Sequence, residues 1–317
     1  MINYITHLVV LSIVESACSS FLDFFDTINI AMAQLNPNSK ITLNNGVEMP
    51  VIGFGVFRIP EGEEVSNSVK WALNAGYRLI DTAMIYQNEE GVGRAIKESG
   101  IPREEIFVTT KLWNTEQGYE STLGAIDASL AKLGLEYVDL YLIHWPTASE
   151  NLRGGVSINK REETWKAMEE IYKSGKAKAI GVSNYTITHL EEMKKYAKIP
   201  PAVNQVEFHP FLYQKELLNY CREHTIALEA HSPLAEGKGS ENEQVNSIVA
   251  KYGKTTSRIF LRWSIQHGAV PIPKSVHQER IKENISVFDF ELSEEDMKTL
   301  DGLNINLHVR ADPTNLK

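Results

Sequence analysis

From about residue 51 onward, short runs of apolar and β-branched residues alternate with longer stretches in which apolar positions recur three and four apart. The short runs read as strands, and the three-and-four spacing reads as one face of a helix. Eight runs fall at 51–53, 79–81, 106–110, 138–144, 179–182, 203–206, 226–230 and 269–272, with helix-like stretches between them at 64–74, 119–132 and 162–173. Alternation of this kind implies parallel strands joined by crossover helices. Eight units with no long Pro, Gly or Ser linker favour closure, so the expected fold is α/β, a (β/α)8 TIM barrel. Ahead of it, residues 41–43 and 47–50 flank Asn44, Asn45 and Gly46, a hairpin pattern expected to close the barrel bottom.

A doubly wound sheet would need a phosphate-binding glycine fingerprint in its first strand-turn-helix unit. Gly53-Phe54-Gly55 lacks the third glycine, and Gly91-Val92-Gly93 lies at the start of a helical pattern, so both read as turn or packing glycines. The chain shows no internal repeat beyond the alternation itself and no low-complexity tract.

Composition narrows the function classes. At 317 residues, with 43% hydrophobic and 23% charged residues, the chain can bury one large core without membrane residence. A net charge of -9 argues against general affinity for nucleic acid or acidic membranes, although a local anion site stays open. Cys18 and Cys221 are too few for a disulfide framework, which favours a reducing compartment, expected to be the cytoplasm. Residues 1–31 carry an apolar run but no Lys or Arg, and Glu15, Asp23 and Asp26 interrupt them. They fit neither a secretory signal nor a membrane helix. They are expected to be an accessory or mis-started segment dispensable for catalysis, with the barrel domain in 32–317.

In a barrel of this kind the C-terminal ends of the strands converge on one mouth. Here those ends are strongly polar: Asp81 with Tyr86 just beyond, then Lys111, His144, Ser183 and Asn184, Gln205, His231 and Ser232, and finally Lys274 and Ser275. Taken singly, Asp81 reads equally as a helix cap, Lys111 as a surface charge and His144 as a satisfied barrel histidine. Together they offer a chemistry. A phenol with a pKa near 10 is a poor acid at neutral pH unless a cation stabilises its phenolate. Lys111 could supply that cation, with Asp81 holding the ammonium and His144 bonding to the reacting oxygen. Phe57, Trp113 and Trp145 adjoin strand ends and are the expected substrate-pocket residues, although packing at the barrel rim would explain them too. Trp71, Trp165 and Trp263 fall in helical stretches and are assigned to packing.

Other chemistries fit less well. His209 with His231 or His144 has no tight ligand spacing and there is no HExxH, so no metal is expected. Asp81 and Glu207 are the conceivable carboxyl pair of a glycosidase, but that reading leaves Tyr86 and Lys111 unexplained. No Gly-x-Ser-x-Gly elbow occurs, and Ser275 after Lys274 reads better as a phosphate contact.

Several motifs at once resemble the aldo-keto reductase family, from about Ile41 through the C-terminal region. Asp81-Thr82-Ala83 with Tyr86, Thr110-Lys111-Leu112-Trp113 and Leu142-Ile143-His144-Trp145-Pro146 look like its Asp/Tyr, lysine and histidine motifs. Gly181-Val182-Ser183-Asn184 and Asn204-Gln205-Val206-Glu207 resemble its nicotinamide-binding strands. Ile272-Pro273-Lys274-Ser275 with Arg280, Glu283 and Asn284 resembles its adenosine-phosphate site. Within the family the chain is most similar to the bacterial glyoxal/methylglyoxal and diketogluconate reductases.

The resemblance implies a catalytic set of Asp81, Tyr86, Lys111 and His144, with hydride passing from NADPH to the carbonyl carbon of an aldehyde or ketone while Tyr86 protonates its oxygen. It further implies that Ser183, Asn184 and Gln205 hold the carboxamide, that Lys274, Ser275 and Arg280 hold the 2'-phosphate, and that Asn284 holds the adenine. Glu283 and His231, Ser232 and Leu234 of the His-Ser-Pro-Leu stretch would complete the cofactor contacts. The family usually has Tyr, Phe or Trp where this chain has His231, which reduces the ring surface for nicotinamide stacking. The expected partner is a small-molecule carbonyl substrate, with no nucleic acid or membrane and a monomeric state. The alternative function is an NADPH-binding redox-sensing regulator with little turnover.

Overall fold

The computed structural model describes residues 35–148 and 158–316. The chain divides into two units, Met1–Asn36 and Pro37–Lys317, and the barrel is the second. The expectation for residues 1–31 falls outside the described residues.

The hairpin strands β1 (Lys40–Thr42) and β2 (Glu48–Pro50) pair antiparallel, Ile41 opposite Met49. Gly46 carries the positive φ of 85° that the tight turn requires. The turn is tied to the rest of the chain by Asn44 Nδ2 donating to Pro201 O at 3.0 Å and Asn45 Nδ2 donating to Lys178 O at 2.9 Å. Leu43 and Met49 are buried in one cluster with Leu79, Phe107, Ala179, Val203 and Val270, which lie at or near the starts of the barrel strands. The hairpin therefore plugs the bottom of the barrel, as its sequence suggests.

Eight strands follow in consecutive order and pair parallel: β3 (Phe54–Gly55), β4 (Leu79–Asp81), β5 (Phe107–Leu112), β6 (Val138–Ile143), β7 (Ala177–Ser183), β8 (Val203–Glu207), β9 (Ala227–His231) and β10 (Val270–Pro271). The ring closes between its first and last members, where Gly53 N donates to Pro271 O at 3.0 Å and Gly55 N to Pro273 O at 3.1 Å. A Cβ on Gly53 would sit 2.4 Å from Leu79 Cδ2, so this glycine is a closure residue, not part of a nucleotide fingerprint. The first strand differs from expectation. Residues 51–53 carry the apolar side chains, but Val51 N still bonds to Ser39 O of the hairpin, and pairing with β4 begins only at Phe54 opposite Ile80.

The helices α1 (Glu63–Ala75), α2 (Glu89–Glu98), α3 (Tyr119–Leu133) and α4 (Ile158–Ser174) include the three helical stretches read from the sequence, each slightly longer than its apolar pattern. They pack side by side around the sheet, and Gly91 and Gly93 show why α2 carries glycine in its interior. A Cβ on Gly93 would come 1.9 Å from Leu133 O, and one on Gly91 would come 2.4 Å from Val65 Cγ1. Trp165 and Trp263 are fully buried packing residues, and Trp71 is half-buried on α1.

Gly124, inside α3, has nothing within 4 Å of a built Cβ. The two helical glycines should therefore respond to alanine with opposite signs. Gly93→Ala forces α2 away from α3 and is expected to cost about 1–3 kcal/mol, as overpacking typically does. Gly124→Ala is expected to gain up to about 1 kcal/mol from helix propensity. Thermal unfolding followed by circular dichroism checks this, and equal shifts in Tm would contradict the close packing at Gly93.

Candidate functional site

Asp81, Lys111 and Gln205 come together in one buried cluster, with the part-buried Tyr86 against it. Asp81 is the last residue of β4 and Lys111 lies within β5, one step deeper than the sequence pattern suggests. The Lys111 side chain is fully buried, which excludes a surface charge. Its Nζ donates to Asp81 Oδ1 at 2.7 Å, to Thr82 O at 2.9 Å and to Tyr86 Oη at 3.3 Å. Three acceptors account for the three ammonium protons. Tyr86 reaches this point because Met84–Tyr86 forms a single 3₁₀ turn after β4. Asn88 braces that turn, accepting from Thr82 Oγ1 at 2.8 Å and donating to Val56 O and Ile59 O.

Burial works against the Lys111 ammonium, but Asp81 and Tyr86 more than offset it, and its pKa lies above the ordinary lysine value. Burial raises the Asp81 carboxyl against the pull of Lys111 and Gln205. Asp81 nevertheless accepts from two donors, Lys111 and Gln205, as a carboxylate does. For Tyr86, burial raises the phenol and Lys111 lowers it, with the net direction upward. The cation expected to favour the phenolate is thus present, but in this state desolvation outweighs it and Tyr86 keeps its proton.

His144 follows β6 with its backbone N bonded to Leu112 O. Burial, then the charge of Lys111, pushes its pKa well below the ordinary value, so the imidazole is neutral. Its Nδ1 is buried without a partner among the described residues. Its ring lies edge-on to Tyr86 (centroids 5.7 Å apart) and to Trp113 (5.3 Å), while Phe57 lies 5.0 Å from Tyr86. Phe57, Tyr86, His144 and Trp113 therefore form a continuous arc of rings. Trp145 is buried, its carbonyl held by Gln117 Nε2 at 2.8 Å, and it makes no ring contact with that arc among the described residues.

On the neighbouring strands Asn184, at a positive φ of 61°, donates through Nδ2 to His144 O at 2.9 Å and to Ser183 Oγ at 3.1 Å. His231 Nε2 lies 3.0 Å from Asn184 Oδ1, which makes that nitrogen the N–H of the ring. Burial drives the His231 pKa down to about 3. The residue that departs from the family pattern is therefore a neutral imidazole joined through Asn184 to the backbone of His144. Ser232 and Leu234 follow it in the half-exposed turn after β9, where Ser232 also has a positive φ.

Lys274 and Arg280 are exposed and have no ion pair among the described residues. They flank the N-terminal end of the helix Gln278–Ile285, with Ser275 buried between them and Glu283 and Asn284 on the helix. Ser183 and Asn184 thus form a polar edge beside His144, and Lys274 and Arg280 a separate cationic rim.

Other roles at the mouth were not read from the sequence. Glu207, the conceivable glycosidase carboxylate, instead accepts from His209 Nε2 and from the backbone N–H groups of Val309 and Arg310 at 2.7 and 3.0 Å, which anchors the C-terminal segment. Arg310 pairs with Glu236, and both Arg310 and Arg58 lie 5.1 Å from the centre of the Phe57 ring. Glu229 is fully buried on β9 beside Gln205, its pKa pushed up to about 8 by burial and then by the charge of Asp81. A lone acid inside the apolar run 226–230 was the available signal, because a carboxyl is rarely placed in a strand interior without a purpose. Among the described residues no group of three or more His, Cys, Asp or Glu could hold a metal ion, and no helix is long and apolar enough to cross a membrane.

A sequence profile of the Aldo/keto reductase family matches residues 51–305. The glyoxal reductase of Bacillus subtilis is 53% identical over 276 residues, 87% of this chain and 96% of that one. An aldo-keto reductase from a Medee basin deep-sea metagenome library superposes with a TM-score of 0.81 at 49% identity, covering 88% of this chain and 99% of that one. A Bombyx mori aldo-keto reductase solved in complex with NADP gives a TM-score of 0.80 at 38% identity, covering 86% and 94%. The chain belongs to the aldo/keto reductase family of oxidoreductases.

Proposed function

We propose that the chain reduces aldehydes and ketones to alcohols with NADPH, Tyr86 donating the proton. The observation that carries this reading is the buried Lys111 ammonium, held 2.7 Å from Asp81 Oδ1 and 3.3 Å from Tyr86 Oη. The residues present suit the cofactor at both ends. Lys274, Arg280 and the helix terminus they flank suit a phosphate dianion, for which an arginine fork and an ammonium are complementary. Ser183, Asn184 and Gln205 offer hydroxyl and amide groups to a carboxamide, and the flat, neutral His231 ring stands beside Asn184 to stack on a nicotinamide. When bound, the reduced nicotinamide supplies the hydride.

The protein's part is to hold the carbonyl and deliver a proton to its oxygen. Tyr86 keeps its proton until that oxygen gains charge, because burial disfavours the phenolate. As the proton leaves Tyr86 Oη, the Lys111 ammonium stabilises the developing phenolate and Asp81 keeps Lys111 in place. Neutral His144 offers a ring N–H to the same oxygen and orients it. Phe57, Trp113 and Trp145 bound an apolar slot that excludes water from the reacting atoms. The substrate class is small carbonyl compounds such as glyoxal, methylglyoxal or keto sugars, in line with the similarity to a glyoxal reductase.

Turnover of a neutral aldehyde with NADPH tests the reading, and cofactor binding without carbonyl-dependent oxidation would instead favour a regulator. Tyr86→Phe keeps the ring's packing but removes the acid, so kcat should fall by about 10² to 10⁴ while NADPH affinity, measured by fluorescence titration, is retained. Near-normal turnover in that variant would overturn Tyr86 as the donor. Arg280→Ala should weaken NADPH by about tenfold or more and leave NADH nearly unaffected, since a charge-assisted bond is worth about 1.5–3 kcal/mol. Equal losses for both cofactors would mean that Arg280 does not read the 2'-phosphate.

A further inference from the structure

Behind the Asp81, Lys111 and Tyr86 cluster lies a second acid, Glu229, to which the proposed reaction assigns nothing. Gln205 and Glu229 are register partners on β8 and β9. The Gln205 Nε2 group spends its two protons on two different carboxyls, Asp81 Oδ2 at 2.8 Å and Glu229 Oε2 at 2.7 Å. Among the described residues nothing donates to Gln205 Oε1, and Glu229 Oε1 is buried without a partner. Among the described residues Glu229 has no cation of its own: Lys111, the ammonium that acts on it, is in contact with Asp81.

The groups facing Glu229 are Asp81 from β4, Lys111 from β5, Gln205 from β8 and Tyr86 from the turn after β4, while its register partner on β10 is the apolar Val270. Two full negative charges on Asp81 and Glu229 against one ammonium would leave a net anion in a buried space, which is costly. A proton on Glu229 removes that excess.

We propose that Glu229 is a positioning and tuning residue of the reducing site. Neutral, it shares the Gln205 amide with Asp81, so that the Gln205 carbonyl is left to face the carboxamide; ionised, it adds a second anion beside Tyr86 that makes the phenol a weaker acid. The inference rests on the function proposed above. Its sign follows from the charges. Tyr86 is held above the ordinary tyrosine range chiefly by burial, and a negative Glu229 is one contributor to that rise, so proton donation slows as Glu229 ionises. Burial and then the charge of Asp81 raise the Glu229 carboxyl, yet it still ionises before Tyr86, so an alkaline loss of reduction should accompany that ionisation.

The test is kcat for a neutral aldehyde at saturating NADPH across neutral to alkaline pH, in the wild type and in Glu229→Gln, which keeps an acceptor for Gln205 but cannot ionise. The wild type should lose reduction in a limb centred near pH 8, and Glu229→Gln should lack that limb or have it displaced upward by at least about one unit, a tenfold change in the governing equilibrium. Glu229→Leu should weaken NADPH binding, because Gln205 loses the bond that orients it. Superimposable profiles for the wild type and Glu229→Gln, with unaltered NADPH affinity in Glu229→Leu, would overturn the proposal. Absence of aldehyde reduction by the wild type at every pH would instead sink the proposed function.

Should neither variant fold, infrared spectra of the wild type labelled with ¹³C-glutamate give the answer directly. A labelled, protonated carboxyl band that titrates away near pH 8 supports the proposal, and no such band at neutral pH overturns it.

Discussion

The constraint on which the site depends is a full positive charge, Lys111, placed inside a barrel and wholly shielded from bulk solvent. Removing an ion of this size from water carries an effective penalty of several kcal/mol, which only close and well-aimed partners offset. Asp81, the Thr82 carbonyl and the Tyr86 hydroxyl provide them, one for each ammonium proton. Asp81 ends β4, Thr82 is the next residue and Tyr86 closes the 3₁₀ turn that follows, so one crossover positions them all. Its geometry depends in turn on Asn88, which ties that turn to the carbonyls of Val56 and Ile59.

The same economy of polar groups extends around the mouth. Each amide side chain has more than one role: Gln205 joins Asp81 to Glu229, and Asn184 joins His231 to the His144 carbonyl. The interior is thus a connected polar network in which orientation at one residue fixes its neighbour. The barrel supplies rigidity by closing through backbone bonds at Gly53 and Gly55, where side chains would obstruct the first and last strands. The mouth is finished by the C-terminal segment, anchored on the Glu207 carboxylate and bringing Arg310 against Phe57.

Much of this was legible in the sequence because a barrel writes its polar residues at predictable places. The alternation gave eight strands in order, and near the ends of two of them Lys111 is bonded to both Asp81 and Tyr86. What the pattern could not give was depth and pairing. The apolar run 51–53 looked like the first strand because side-chain pattern does not reveal which backbone neighbour is used, and Val51 is still paired with the hairpin. Lys111 looked like the residue after a strand, yet it lies within β5 and points inward. Glu229 was overlooked because an acid amid apolar residues gives no hint of its partners until β8 is set beside it. The role of Glu207 depended on Val309 and Arg310, roughly a hundred residues away, a contact that local periodicity cannot encode.

If the Asp81 and Lys111 pair is kept for proton transfer and not for stability, the two properties should separate when both charges are removed together. Taking away one partner of a buried pair typically costs about 3–5 kcal/mol, whereas neutral replacement of both is often harmless or stabilising. The most direct measurement is therefore a double-mutant cycle on Asp81→Asn and Lys111→Met, recording unfolding free energy and kcat for each member. The account predicts two destabilised single variants and a double variant about as stable as the wild type that still lacks turnover. A double variant that reduces aldehydes at a near wild-type rate would contradict it.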